Sequence, residues 1–241
     1  MSKKVTVTKL RRVFYTQDTL KIAKEFLGKF IIRKVGKKKR IGMIVETEAY
    51  VGPQDRASHA FGGKKTPCNR AEYLIGGHIY IYLVYGMYWQ LNISTGKADV
   101  PECVLIRALE PIFSDKIFNF QFSITPGDFS IKIKKGSRPL NAPYGRVQPN
   151  KIQNSKFKIP KQIINLANGP GKLCRWLKLD KSFYAEDLTK SKRIWLEDWG
   201  IKLKKRDIVV APRVGIDYAG PLWSKKPWRF YIKGNSFVSK L

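Results

Sequence analysis

The stretch VETEAYVGPQDRASHA, Val45 to Ala60, gathers side chains able to move protons. Glu46 and Glu48 stand two residues apart in an apolar segment. Tyr50 follows, then a Gly52-Pro53 turn, then Asp55 and His59, one of only 2 histidines in the chain. In an extended segment residues i and i+2 share a face, roughly 6–7 Å apart, so both carboxylates point one way. Three chemistries fit these residue types. One buried glutamate with a raised pKa can act as a general base on water. A pair can divide the roles of acid and base or nucleophile, as in glycoside hydrolysis. Glu46, Glu48 and Asp55 together could hold Mg²⁺ for phosphodiester cleavage. Spacing alone does not choose among them. A solvent-facing pair would do none of this, and the apolar flank of Ile44, Val45 and Ala49 argues against an exposed face.

A second stretch, HIYIYLVYGMYWQLNIS from His78 to Ser94, supplies aromatic rings. Tyr80 and Tyr82 alternate onto one face of a strand, with Ile79, Ile81 and Leu83 on the other. Such rings ordinarily pack a core. In a basic protein they also form a platform on which an unpaired base can stack. Tyr85 precedes Gly86, where the strand must bend, and a bulky side chain at such a tip can enter a DNA groove as a wedge.

These groups need a scaffold, and its elements are readable. Thr16–Phe30 reads as a helix with Leu20, Ala23, Phe26 and Leu27 on one face, Thr16 or Asp18 at its start and Gly28 at its end. Phe30–Val35 and Arg40–Ala49 read as strands joined by a lysine-rich turn at Gly36. His78–Ser94, interrupted at Gly86, and Cys103–Leu109 read as further strands. Asn168–Leu179 reads as a second helix with Pro170 near its start. Arg206–Val214 and Trp228–Lys233 read as late strands. The region from about 112 to 160 is rich in Phe, Lys, Pro, Gly, Ser and Asn with weak periodicity, as expected of an irregular insertion, partly strand. No repeat or linker divides the 241 residues, so a sheet packed on helices in one domain is expected.

Composition narrows the partners. Lys and Arg total 47 against 18 Asp and Glu, a formal net charge of +29. Such an excess attracts polyanions, nucleic acid foremost; a lysine-rich solvated surface is the plain alternative. No apolar run approaches the roughly 18–20 residues of a membrane span, and the basic start MSKKVTVTKLRRVF has no apolar core of a signal peptide. Cys68, Cys103 and Cys174 lie far apart without metal-ligand spacing, as in a reducing compartment. A soluble intracellular protein that does not bind membrane is expected.

The motifs VETEAYVGPQDRASHAFGGKKTPCNR, IYIYLVYGMYWQLNIS, CVLIRALEP, GPGKLC, DKSF and RVGIDYAG followed by KPWRFYIKG occur in this order. In their length and order they resemble the alkyladenine (3-methyladenine) DNA glycosylase family of the mammalian type. The resemblance covers about 15–111 and 168–238, and not the insertion at about 112–167. It implies a single mixed α/β (α+β) domain over 1–241, with a curved, largely antiparallel sheet flanked by helices. It implies a monofunctional enzyme of base excision repair that acts as a monomer without metal or other cofactor. The partner would be double-stranded DNA containing damaged purines such as 3-methyladenine, 7-methylguanine, hypoxanthine and ethenoadenine. The damaged base is flipped out and its N-glycosidic bond hydrolysed, leaving an abasic site, in the cytoplasm or nucleoid of a bacterium or the nucleus of a eukaryote.

The resemblance also implies roles. Glu48 matches the base that deprotonates a water aimed at C1′, and Arg107 an arginine that helps place that water and the backbone phosphate. Tyr50, His59 and Tyr82 match the aromatic walls around the base. Asn92 matches a pocket-floor residue that disfavours the amino group of ordinary guanine, and Tyr85 the residue that intercalates where the base has left. Lys172, Arg213 and Lys226 are expected at DNA phosphates. Gln54, Lys64, Lys65 and Trp89 depart from the family pattern, the two lysines losing bidentate contact where arginines are frequent. Two alternatives stand beside this reading: the metal-dependent nuclease using Glu46, Glu48 and Asp55, and a non-catalytic nucleic-acid-binding protein that has lost the chemistry.

Overall fold

A computed structural model describes residues 7–113 and 159–239. In chain order its elements are β1 (Thr8–Lys9), α1 (Arg12–Tyr15), α2 (Thr19–Glu25), β2 (Phe30–Val35), β3 (Lys38–Tyr50), β4 (Ile79–Val84), β5 (Tyr88–Ser94) and β6 (Cys103–Ile112). Then follow α3 (Lys161–Ile164), α4 (Pro170–Leu177), β7 (Ile194–Asp198), β8 (Ile208–Ala211), α5 (Pro221–Ser224) and β9 (Arg229–Ile232). Among the described residues the strands form one open nine-stranded sheet in the order β1-β7-β2-β3-β6-β5-β4, with β9 against β3 and β8 against β9. The pairings are antiparallel. This is the expected α+β class.

The 13-residue strand β3 is the axis of the molecule. Its first half pairs with β2 and its residues Glu46–Glu48 pair with β9, while β6 runs along its other edge. Register against β6 shifts between Ile44 and Glu46 and shifts back between Glu46 and Thr47. One extra residue, Val45, enters on β3, and one, Arg107, on β6. A bulge of this kind reverses which residues face which side. Before it, Gly42 faces α4: a Cβ there would meet the Trp176 ring at 3.1 Å. After it, Thr47 takes the helix side, its hydroxyl donating to the Ala23 carbonyl of α2 at 2.8 Å. Glu46, Glu48 and Tyr50 are thereby turned to the opposite face. A regular strand would have sent Glu48 into the helix-covered core with Gly42 and Ile44.

That core contains Ile22, Phe26, Phe30, Ile31, Ile44, Ile106, Leu109, Leu173 and Phe230, all at or below 2% exposure. The α2 helix begins where Asp18 accepts from the Lys21 N–H at 2.8 Å. The expected single helix Thr16–Phe30 is shorter, because the chain turns at Gly28, whose φ of +80° suits glycine. The expected strand at 78–94, interrupted at Gly86, is a hairpin, β4 and β5, turning at Tyr85–Met87. The second helix begins on Pro170 and stops at Lys178, which adopts φ +52°. Arg206–Val214 is strand only over Ile208–Ala211. Sequence reading gave no sign of β1, β7, α1, α3 or α5. Most of the expected insertion, residues 114–158, lies outside the described residues; its described ends are the tail of β6 and α3. Among the described residues no helix is long and apolar enough to cross a membrane.

Candidate active site

Glu48 is fully buried. Its Oε1 accepts from the Val214 backbone N–H at 2.8 Å and lies 3.2 Å from Arg107 Nη1; its Oε2 accepts from the Tyr50 hydroxyl at 3.1 Å. Burial pushes the Glu48 carboxyl up; Arg107, the Val214 N–H and the Tyr50 hydroxyl oppose that rise, and Glu46 adds to it. Glu46 is held differently. Arg107 Nε donates to it at 2.9 Å and the Ser239 N–H at 2.6 Å, with Arg229 Nε 3.6 Å away. Arg107 therefore bridges the two glutamates from the bulge of β6. The pair is unequal: Glu46 is tied in by the 229–239 segment, and Glu48 faces the aromatic side.

Aromatic side chains from β3, β4 and the loop after β3 converge beside Glu48. His59 Nδ1 lies 2.5 Å from the Tyr80 hydroxyl, and its ring meets Tyr82 edge-on at 4.6 Å between centroids. Tyr80 and Tyr82 lie 5.2 Å apart on the shared face that strand alternation requires. Burial, with Lys64 nearby, pushes the His59 imidazole down, so the ring is neutral near pH 7. Burial pushes both tyrosines up, so each keeps its hydroxyl hydrogen. Asn92 on β5 is buried, paired across the hairpin with Tyr80 and across β6 with Leu105, itself the partner of Glu48.

Tyr85 stands apart from this cluster, at the hairpin tip. It is 87% exposed with φ +52°, and Gly86 beside it has φ +67°. A tyrosine in the left-handed region costs about 1–2 kcal/mol.

The three cations expected at DNA phosphates differ in placement. Lys172, in the first turn of α4, is exposed, its Nζ donating to Asn168 Oδ1 at 2.9 Å. Lys226 is half-buried, lying over Trp223 and Trp228 at 4.7 and 4.9 Å. Arg213 does not fit that expectation. Its side chain is fully buried and paired with Asp55 at 2.6 and 2.9 Å. Instead its guanidinium lies between the Tyr50 ring at 4.7 Å and the Trp228 ring at 5.1 Å. A column Lys226–Trp228–Arg213–Tyr50 thus backs the tyrosine that touches Glu48.

The same contacts bear on Glu46, Glu48 and Asp55 as metal ligands. The Asp55 oxygens accept from Arg213 and from the Val51 and Ala57 N–H groups, and the Glu46 oxygens are taken by Arg107 and Ser239. This donor set is neutralised by arginine rather than open to a cation. Two site residues were not legible in sequence: the Val214 N–H, 166 positions from Glu48, and Tyr80 as the partner of His59. Tyr80's shared face with Tyr82 was the available signal.

The family model for methylpurine-DNA glycosylase (MPG) matches residues 13–236. A protein of Clostridium novyi (strain NT), whose name includes the words 3-methyladenine DNA glycosylase, is 39% identical over 232 residues, covering 96% of this chain and 98% of its own. One from Desulfitobacterium hafniense (strain Y51), with the same words in its name, is 38% identical over 234 residues, covering 96% and 98%. The human protein named DNA-3-methyladenine glycosylase is 35% identical over 239 residues, covering 99% of this chain and 70% of its own.

Proposed function

The chain belongs to the methylpurine-DNA glycosylase family, and on that premise we propose that it is a DNA-3-methyladenine glycosylase, which flips a damaged purine from duplex DNA and hydrolyses its N-glycosidic bond with a water activated by Glu48. The observation that carries this reading is the buried Glu48 carboxylate, shared among Arg107, Tyr50 and the Val214 N–H beside a cluster of rings. A carboxylate with a raised pKa is a better proton acceptor than an exposed one. An alkylated purine is already a good leaving group, so one base poised on water suffices without a covalent intermediate.

Tyr50, His59 and Tyr82 form the walls that stack the extruded base, which offsets an unstacking cost of a few kcal/mol. With the Tyr80 hydroxyl donating to Nδ1, the neutral His59 keeps its hydrogen on Nε2 as a donor for the base edge. Asn92 is the floor. Arg107 holds Glu48 in place and offers positive charge to the water and the adjoining phosphate. Tyr85 fills the gap in the duplex, and Lys172 and Lys226 contact phosphates. The enzyme acts as a soluble monomer on DNA.

A duplex carrying one hypoxanthine or alkylated purine tests this. In EDTA the protein is expected to release free base and leave an unbroken abasic strand. Glu48→Gln is expected to bind the same duplex and release nothing. Near-native release by that variant would overturn the role of Glu48, and loss of all release in EDTA would overturn metal-free hydrolysis.

A further inference from the structure

Two loops that flank the site meet along a seam. One, residues 51–60 after β3, carries His59; the other, residues 212–220 after β8, carries the Val214 N–H that binds Glu48. At its buried end the seam is closed by the Asp55–Arg213 pair at 2.6 Å. In its middle Ala57, Ile216 and Ala219 form a small apolar cluster, with Tyr50 and Trp223 packed against it. At its outer edge the Tyr218 hydroxyl donates to the Ala57 carbonyl at 3.1 Å.

Tyr218, in the turn Asp217–Ala219, is 72% exposed, yet its hydroxyl end is tucked in. Burial pushes that hydroxyl up, Arg213 opposing and Asp55 and Glu48 adding to the rise. The phenol therefore keeps its hydrogen at neutral pH and donates it. Tyr218 also helps to push up the Tyr82 hydroxyl, so it lies within electrostatic reach of both Glu48 and the aromatic wall. A bare ring fills no core, and one hydrogen bond at a surface adds little to stability. What this bond does is geometric. It ties a carbonyl two residues before His59 to a side chain four residues after Val214.

We propose that Tyr218 is a positioning residue for the reaction: its hydroxyl clasps the His59 loop to the Val214 loop, and so fixes the wall that holds the extruded purine relative to the carboxylate that activates water. This rests on Glu48 and His59 having those roles. The two act on one nucleotide, Glu48 through water at C1′ and His59 at the base, so a slip between the loops misplaces the water against the bond it must attack. Neither 51–60 nor 212–220 is part of a strand, so no ladder of backbone bonds holds one against the other, and the clasp takes that place. Its loss costs rate and leaves DNA affinity, because the rings and cations that meet DNA remain. Its loss also loosens the Val214 N–H. Burial and Glu46 drive the Glu48 carboxyl up, and Arg107, that N–H and the Tyr50 hydroxyl oppose the rise; with a looser donor the carboxyl rises further.

The test is Tyr218→Phe, which keeps the ring and removes the clasp, assayed on a duplex carrying one hypoxanthine. Single-turnover release should fall about three- to tenfold, the worth of one hydrogen bond, with lesion-duplex affinity and melting temperature as in the native protein. The acid limb of the variant's rate profile, followed from about pH 5 to about pH 8, should lie at higher pH than the native limb. Both proteins act on the same purine, so its own proton equilibria cancel from the comparison. A native rate and profile in Tyr218→Phe would overturn the clasp. So would a loss of affinity without a loss of rate, or a melting temperature that drops in step with the rate. Absence of release by the native protein, from this duplex and from one carrying 7-methylguanine, would instead overturn the glycosylase reading beneath it.

Discussion

The bulged middle of β3 and the tip of the β4–β5 hairpin handle polar groups and strain in opposite ways. At the bulge, Glu46, Glu48 and Arg107 are buried and bonded to one another and to backbone N–H groups from the 214 and 239 segments. At the tip, Tyr85 is exposed and held in a left-handed conformation, with Met87 beside it 65% exposed. A group that must hold one water in one place is fixed from several sides, because small displacements of a reacting geometry cost large factors in rate. A group that must enter a duplex has its partner elsewhere and is left bare. In this reading the protein provides order where chemistry occurs and leaves it to DNA where recognition occurs.

The largest expected effect removes chemistry while sparing the fold. Glu48→Gln should lower single-turnover base release by about 10²–10⁴-fold, the usual worth of a general base. The native rate should fall as pH drops through the raised pKa of Glu48, at a higher pH than an ordinary carboxylate would require. A folded pKa above the unfolded value means that ionising Glu48 weakens the fold as pH rises past the ordinary carboxylate range. The variant should therefore melt no lower than the native protein near pH 8; a large drop in its melting temperature would make Glu48 a structural residue.

Arg213→Met comes next. It strands Asp55 in the core and should lower unfolding free energy by about 3–5 kcal/mol, measured by urea denaturation. A phosphate-binding arginine would instead cost affinity and leave stability alone.

At the tip the two kinds of loss should separate. Tyr85→Ser should weaken binding to lesion duplex by about tenfold, within the roughly 1–3 kcal/mol of an aromatic stack on a base, without changing the melting temperature. Tyr85→Gly should weaken binding similarly while raising stability by up to about 1 kcal/mol, since glycine accepts the positive φ. Unchanged lesion binding in both would remove the contrast between the two regions.

Lys172→Ala should have the smallest effect. Binding should weaken alike for damaged and undamaged duplex, and the slope of log affinity against log salt should shrink by about one. An unchanged slope would return Lys172 to the plain solvated surface.

The site was partly legible because its residues are local. Glu48 and Tyr50 are i and i+2 on one strand, Tyr80 and Tyr82 likewise on another, and alternation alone puts each pair on one face. What was not legible is long-range. Nothing near Arg213 indicates that Asp55 will bury it, and nothing near Val214 indicates that its N–H will meet Glu48. The bulge at Val45 is equally silent, because it is defined only against a second strand, β6, which carries its own extra residue, Arg107. Helix lengths were overestimated where tertiary turns such as Gly28 cut short a continuing apolar pattern, and β7 was missed in a stretch, Ile194–Asp198, whose partner β2 lies more than 150 residues earlier.

The contacts on the two glutamates carry a consequence for synthesis. Chains emerge from the ribosome in order and fold as they lengthen. Glu48 is made early, but the Val214 N–H that binds it and the Arg229 and Ser239 groups that close over Glu46 are among the last described residues to appear. A nascent chain lacking that segment has both glutamates without these partners and lacks β9 along their edge of β3. On this reading a chain that stops before the 214–239 segment is not competent to cut glycosidic bonds, because Glu48 then lacks its backbone donor.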